Sequence, residues 1–289
     1  MYRQDFLRFI LFFNRKGRKE ARRTQRKMPI PPRLWYSVFL EYPASPYLVS
    51  PQMHPHTQQQ RIAENVGEVR LRMEHAAVKS GRSGQDVRLV AVSKYAGIGD
   101  GIVEALLAAG CMELGEARPQ QLLEKAEHYV DTPVRWHLIG SLQRNKVRKI
   151  LPVTELIHSL DSLRLAEAID RIAGEEGLPP VHCLVEIALS QDVNKQGIPP
   201  GKVLNVLDKI GTLQNIVIKG LMGMAGLESE RTQIRREFER LRTTAESARN
   251  RGLPANVTLS ELSMGMSDDF EIAIEEGATL VRIGSVLYC

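Results

Sequence analysis

The run Val87-Arg88-Leu89-Val90-Ala91-Val92-Ser93-Lys94 reads as a buried β-strand with an amine at its C-terminal end. Seven further apolar or β-branched segments follow, near residues 111–115, 134–140, 154–160, 181–189, 216–224, 257–263 and 278–284. Helical stretches separate them: Ile102 to Ala109, Pro119 to Tyr129, Gln143 to Ile150, Ser162 to Ala173, Gly201 to Leu213, Glu228 to Arg251 and Asp268 to Glu276. Strand followed by helix, eight times over and with mostly short connections, predicts a single α/β (β/α)8 barrel of TIM type. An open doubly wound sheet competes, but no G-x-G-x-x-G turn follows Lys94.

Upstream of the first strand, Ile62, Val66, Val69, Met73 and Ala76 recur at steps of four and three, so an extra N-terminal helix is expected from Gln58 to about Lys79. Gly81 and Gly84 end it. Residues 1–57 differ in character. Up to residue 52 they hold eleven Lys and Arg against three Asp and Glu, a net of +8, and the chain total of +5 leaves −3 for the remainder. Basicity therefore belongs to the tail, and nucleic acid is not expected as a partner of the barrel. The tail's basic run and aperiodic prolines read as a disordered extension, with Met28 and Met53 as internal start candidates. The apolar stretch Phe6 to Phe13 is too short for a membrane span and lacks the cleavage site of a signal peptide. At 43% hydrophobic and 25% charged, the 289 residues suit a soluble globular protein, with 58–289 as the barrel domain. Cys111, Cys183 and Cys289 are odd in number and without metal-ligand spacing, so no disulfide framework and no metal are expected, and a reducing cytoplasm fits.

In such a barrel the chemistry lies at the C-terminal strand ends. Those ends carry Lys94, Glu116, His137, Ser159, Asp161, Met224, Ser263, Ser267, Arg282 and Ser285. Lys94 is either a nucleophile or a lysine that leaves the strand and extends to water. Ser267, ahead of a helix expected to begin near Asp268, either caps that helix or supplies a phosphate site with the free backbone amides beside it. Gly284 admits a ligand close to the backbone, and Ser285 can donate a hydroxyl; loops after strands seven and eight often hold phosphate in barrels. Arg282 within an apolar strand needs a partner, either an ion pair with Glu186 or Glu116 or a ring nitrogen or anion inside the barrel. His137 reads as a hydrogen-bonded structural histidine or as a general base.

Taken together, Ala91-Val92-Ser93-Lys94, Trp136 to Gly140 with Leu142-Gln143 and Asn145-Lys146, Ile157 to Asp161, Gly220-Leu221-Met222, Leu262 to Asp268 and Val281 to Gly284 resemble the pyridoxal phosphate homeostasis protein family. Its members are similar to the barrel half of bacterial alanine racemase. The resemblance runs from about residue 58 to the C-terminus and implies a pyridoxal 5′-phosphate site. By that resemblance, Lys94 holds the cofactor as a Schiff base, Ser267 with Gly284-Ser285 holds the phosphate, and Arg282 faces the pyridine nitrogen. Met266, His137 and Ser159 complete the expected lining. Partial burial of Lys94 near Arg282 would disfavour its ammonium form. The family usually reads Gly-Glu-Asn where this chain has Gly115-Glu116-Ala117, usually has Gln and Asn where Glu186 and Ala188 stand, and continues beyond Tyr288-Cys289.

The function so implied is a non-catalytic carrier that buffers pyridoxal phosphate or delivers it to dependent apo-enzymes, with no membrane partner and as a monomer, since no exposed apolar helix face is evident. The alternative is a weak amino-acid racemase. Against it, no second β-domain is expected after strand eight to supply the opposite-face tyrosine base of alanine racemase.

Overall fold

Thr57 opens the first helix: its hydroxyl accepts from the Gln60 backbone N–H, and the Gln60 side chain accepts from the Thr57 N–H, a reciprocal capping box. The helix that follows, α1 (Gln58–Lys79), buries Ile62, Val66, Val69, Met73 and Ala76, the face expected from their spacing. Each of the four larger side chains contributes about 1.5–3 kcal/mol when fully removed from water. Residues 57–189, 197–226 and 229–288 are described in the computed structural model of the chain. The expected extension therefore lies outside the described residues except for Thr57, which belongs to the helix cap, and so do Glu228 and Cys289.

Eight parallel strands follow in chain order: β1 (Arg88–Val92), β2 (Glu113–Glu116), β3 (Arg135–Leu138), β4 (Leu156–Leu160), β5 (Val181–Ile187), β6 (Ile216–Gly223), β7 (Val257–Ser263) and β8 (Leu280–Ile283). Each pairs with the next, and β8 pairs with β1 to close the barrel expected from the sequence. Between them run α2 (Ile102–Ala108), α3 (Pro119–His128), α4 (Val147–Ile150), α5 (Leu163–Glu175), α6 (Val203–Ile210), α7 (Arg231–Arg251) and α8 (Phe270–Glu275), and α9 (Ser285–Tyr288) follows β8. The stretch expected as one helix over Gln143 to Ile150 is a 3-10 turn at Arg144–Lys146 that passes into the single α-turn of α4.

Two apolar layers result. Val90, Leu156, Leu184, Met222 and Leu280 fill the barrel interior. A larger cluster lies between strands and helices, with Leu114, Leu138, Ile157, Phe238 and Phe270 fully buried. The alternation of side chains along each strand assigns the two sets. By the same alternation Arg282, two residues after Leu280, points inward, while Glu116 turns outward and meets Lys125 of α3. On α1 the solvent face carries Leu71 and Val78 at 56% and 60% exposure, a small exposed apolar pair contrary to the sequence expectation.

Candidate functional site

The loops after β7, β8 and β1 converge because those strands are neighbours. Pairing continues past β7: the Met264 N–H donates to Leu280 O at 3.1 Å, and the Arg282 N–H to Gly265 O at 3.0 Å. The loop then turns back at Gly265, whose φ of +91° places it in the left-handed region. A Cβ there would lie 2.6 Å from Ala273 Cβ and 2.9 Å from Phe270 Cα, so only glycine lets the loop press onto α8.

Helix α8 begins at Phe270, with Asp269 at the cap position, close to the start expected near Asp268. Asp269 Oδ1 accepts from the Met266 N–H at 2.6 Å, and Met266 O accepts from the N–H groups of Asp269 and Phe270. The N-cap reading of Ser267 is thereby corrected: Asp269 holds the cap position, without a side-chain bond into the helix, and its carboxylate instead closes the preceding loop on the Met266 N–H. Ser267 is left half-buried, and among the described residues neither its hydroxyl nor its N–H, nor the N–H of Asp268, has a hydrogen-bond partner. On the next strand Gly284 and the exposed Ser285 stand at the start of α9; an added Cβ at Gly284 would meet Val92 Cβ and O at 3.3 Å. The Tyr288 hydroxyl donates to Val92 O at 2.8 Å and ties α9 back to the end of β1.

Lys94 lies just beyond β1, in a turn closed by the Ala96 N–H donating to Ser93 O at 2.9 Å. It is exposed, with Nζ 4.9 Å from the centroid of the Tyr95 ring, so the expected partial burial is not found. The reason is local. Pairing of β1 with β2 stops at Ser93, whose N–H donates to Gly115 O at 2.9 Å, and the turn then carries Lys94 out of the packed layer. Beneath that turn is a fixed cluster unforeseen from sequence. Lys125 Nζ donates to Glu116 Oε2 at 2.6 Å and to Ser93 O at 2.7 Å, with the lysine and carboxylate side chains only 4% and 0% exposed. The other carboxylate oxygen accepts from the Ala117 N–H at 2.8 Å. Lys125 sits in an ordinary amphipathic helix, where a lone lysine gives no sign of being buried.

Arg282, 4% exposed, points into the barrel. The expected ion pair with Glu116 is overturned, since Glu116 is taken by Lys125, and Glu186 lies beyond ion-pair distance although its charge is felt. Instead Nη1 donates to Ser263 Oγ at 2.6 Å and Nη2 to Gly223 O at 3.1 Å. Burial lowers the guanidinium pKa to about 10, partly offset by the charges of Asp269 and Glu186, so the group stays cationic at neutral pH. Glu186 itself is pushed up to about 7 by burial and then by the Asp161 charge.

His137 is buried well inside the barrel and bonds His158, with Nδ1 and Nε2 2.9 Å apart; His158 Nδ1 in turn lies 2.8 Å from Ser263 Oγ. Two side chains thus separate His137 from Arg282. The Ser159 hydroxyl donates to Gly140 O at 2.6 Å and fixes the β3 loop. Gly140 can only be glycine, since a Cβ would come 2.1 Å from Ala117 O. Lys94, Met266, Ser267, Gly284 and Ser285 are therefore brought to one side of the mouth with Arg282 inside it, whereas His137 and Ser159 lie in the supporting structure.

The family model for the alanine racemase N-terminal domain matches residues 60–289. A pyridoxal phosphate homeostasis protein of Pseudomonas aeruginosa is 37% identical over 227 residues, covering 78% of this chain and 94% of that protein. Among solved structures, an unknown protein from Bifidobacterium adolescentis superposes with a TM-score of 0.75 at 36% identity, over 81% of this chain and 97% of that one. PipY of Synechococcus elongatus, solved with PLP bound, superposes with a TM-score of 0.68 at 34% identity, over 79% of this chain and all (100%) of that one. The chain belongs to the alanine racemase N-terminal domain family and, within it, to the pyridoxal phosphate homeostasis proteins.

Proposed function

We propose that this chain binds pyridoxal 5′-phosphate reversibly and serves its homeostasis as a non-catalytic carrier, with residues 58–289 as the binding domain. The observation that carries this reading is the contiguity of three strand ends: an exposed amine after β1 and, after β7 and β8, hydroxyls and amides without a hydrogen-bond partner among the described residues. These groups fit the cofactor. Lys94 is the amine for its aldehyde carbon, which it bonds with loss of water. Ser267 and Ser285 are the hydroxyls for its phosphate, with the Ser267 and Asp268 amides and the bare backbone of Gly284 alongside, and Met266 flanks them.

Arg282 is the group for the ring nitrogen. It spends two hydrogen bonds on Ser263 and Gly223, and a guanidinium has five N–H donors, so donors remain for an acceptor in the mouth. When bound, the cofactor supplies an electron-withdrawing ring to an attached amine. A cationic arginine keeps its own proton and does not give it to the ring nitrogen, which weakens that withdrawal and favours holding over broad carbanion chemistry. Ala117 has no side-chain amide to offer near the site, and Glu186 offers a carboxyl that burial pushes up to about 7.

Delivery to pyridoxal-phosphate-dependent apo-enzymes, a monomeric state and a cytoplasmic setting complete the reading. The buried free thiols of Cys111 and Cys183 suit a reducing compartment. No helix among the described residues is long and apolar enough to cross a membrane.

The test is addition of pyridoxal phosphate to the wild-type chain and to Lys94→Ala, with absorbance, borohydride reduction and peptide mass analysis. An adduct on Lys94 that is lost in the variant supports the reading, and no adduct in wild type overturns it. Amino-acid racemisation abolished by Lys94→Ala would replace the carrier with an enzyme.

A further inference from the structure

Below the mouth, a line of polar side chains runs through an interior whose apolar filling is Val90, Leu156, Leu184, Met222 and Leu280. From the top, Arg282 Nη1 meets Ser263 Oγ at 2.6 Å, Ser263 Oγ meets His158 Nδ1 at 2.8 Å, and His158 Nε2 meets His137 Nδ1 at 2.9 Å. His137 Nε2 then faces Glu113 Oε2 at 3.9 Å. Glu113 is the first residue of β2, at the opposite end of the barrel, and its other oxygen accepts from Arg88 at 3.1 Å and Arg135 at 2.9 Å. Ser263, His158, His137 and Glu113 are all buried.

We propose that Ser263, His158, His137 and Glu113 are positioning residues acting through Arg282: a one-way hydrogen-bond chain in which both imidazoles are neutral and carry their proton on Nε2. The role toward the cofactor rests on the assignment of Arg282 to the ring nitrogen; the proton arrangement does not.

The direction follows from counting donors. A guanidinium can only donate, so Ser263 Oγ accepts from Arg282. Among the described residues, the serine's own hydrogen has one acceptor of good geometry, His158 Nδ1. That nitrogen is then bare, the His158 proton is on Nε2, and it donates to His137 Nδ1. The His137 proton is in turn on Nε2, aimed at Glu113 Oε2.

These last two atoms are buried and, among the described residues, have no hydrogen-bond partner. The Nε2 tautomer makes them donor and acceptor, separated by a gap too long for a full hydrogen bond and too short for an intervening water. The reverse order sets a bare nitrogen against a carboxylate oxygen and leaves the serine hydrogen unplaced, with two buried acceptors in conflict. A proton added to either ring would be buried near Arg282 or near Arg88 and Arg135, and both rings are accordingly held far below the ordinary histidine range, His137 at about 3.

The deciding experiment is a long-range 1H–15N correlation spectrum of the full-length chain without cofactor at neutral pH, with His137→Gln and His158→Gln to assign the two rings. Both rings are expected as neutral Nε2–H tautomers. An Nδ1–H tautomer or an imidazolium at either ring overturns the chain, whatever becomes of the cofactor reading.

The positioning role is read with Ser263→Ala and Ser263→Thr. We expect Ser263→Ala to weaken pyridoxal phosphate binding by about tenfold or more and to shift the bound cofactor's absorbance maximum, with the adduct still on Lys94. Ser263→Thr, which keeps the hydroxyl, restores both. Wild-type affinity and absorbance in Ser263→Ala overturn the positioning role while leaving Lys94 in place. Absence of any wild-type adduct fells the cofactor reading instead, and the tautomers still decide the chain.

Discussion

Lys125 Nζ and Glu116 Oε2 lie 2.6 Å apart beneath the turn that carries Lys94, in a pair with 4% and 0% side-chain exposure. The same amine holds Ser93 O at 2.7 Å, so one buried ion pair joins α3, the end of β2 and the residue before Lys94. Lys125→Met leaves a carboxylate without its counter-charge and should cost about 3–5 kcal/mol, read by urea unfolding. Because Ser93 also loses its tie, the yield of borohydride-trapped adduct on Lys94 should fall. Adding Glu116→Met should restore most of the stability, since the desolvation penalty goes with the charge. A single variant as stable as wild type would show that water reaches Glu116.

Gly265 and Gly284 flank the proposed phosphate site and should respond differently to alanine. At Gly265 the substitution combines a φ of +91° with a 2.6 Å clash against Ala273 Cβ, and we expect a loss of about 2–4 kcal/mol. At Gly284 the added carbon meets Val92 at 3.3 Å, and a loss under about 1 kcal/mol is expected. Both should weaken pyridoxal phosphate more than pyridoxal, because the phosphate alone uses these loops. Equal weakening of the two ligands would place the phosphate elsewhere.

The barrel was legible because its signal is repetitive: eight apolar runs alternate with helical periods, and the spacing of Ile62 to Ala76 gave α1 its buried face. The loop residues at the strand ends were legible as well, since barrel topology brings Lys94, Ser267 and Ser285 to one rim whatever their side chains contact. What sequence could not supply was pairing across the barrel. Arg282 had Glu116 and Glu186 as apparent partners, yet side-chain direction sends Glu116 outward to Lys125 and gives Arg282 a serine. His158 stood in a quoted motif without a role, because its bond to Ser263 spans 105 positions. Lys94 was expected half-buried, and a turn one residue past the strand exposes it.

Thr57 caps the first of the described helices. Its capping box satisfies donors at the first turn of α1, and Thr57→Ala in the full chain should cost about 1 kcal/mol. A chain begun at Met53 keeps that box, so its thermal midpoint and its pyridoxal phosphate affinity should match those of the full chain. A large loss in either would give residues 1–52 a part in the fold or the site. If the basic segment binds RNA or anionic membrane, that binding should be salt-sensitive and disappear with the truncation.

Acid should destabilise the protein through its buried histidines, against a smaller opposing effect from Glu186. The pKa values of His137 and His158 are depressed in the folded state, His137 to about 3 from 6.5, chiefly by burial. Below pH 6.5 the unfolded chain takes up two protons that these rings refuse, and stability is lost as pH falls. Glu186 is raised from 4.5 to about 7, so between those values the folded state holds the proton that the unfolded state has released, and stability is gained as pH falls. Below pH 6.5 two histidine protons in the unfolded chain thus oppose the one that Glu186 holds in the folded state, and the net effect of these three groups is a loss of stability as pH falls. Glu186→Gln removes the opposing contribution. The variant should be more stable than wild type by about 1–3 kcal/mol at pH 8, and the difference should vanish near pH 4.5. Urea unfolding of both proteins at pH 5, 6, 7 and 8 isolates this group, because the other carboxylates cancel between them. A constant difference across that range would mean that Glu186 titrates as it does in water and that solvent enters the barrel beside Arg282.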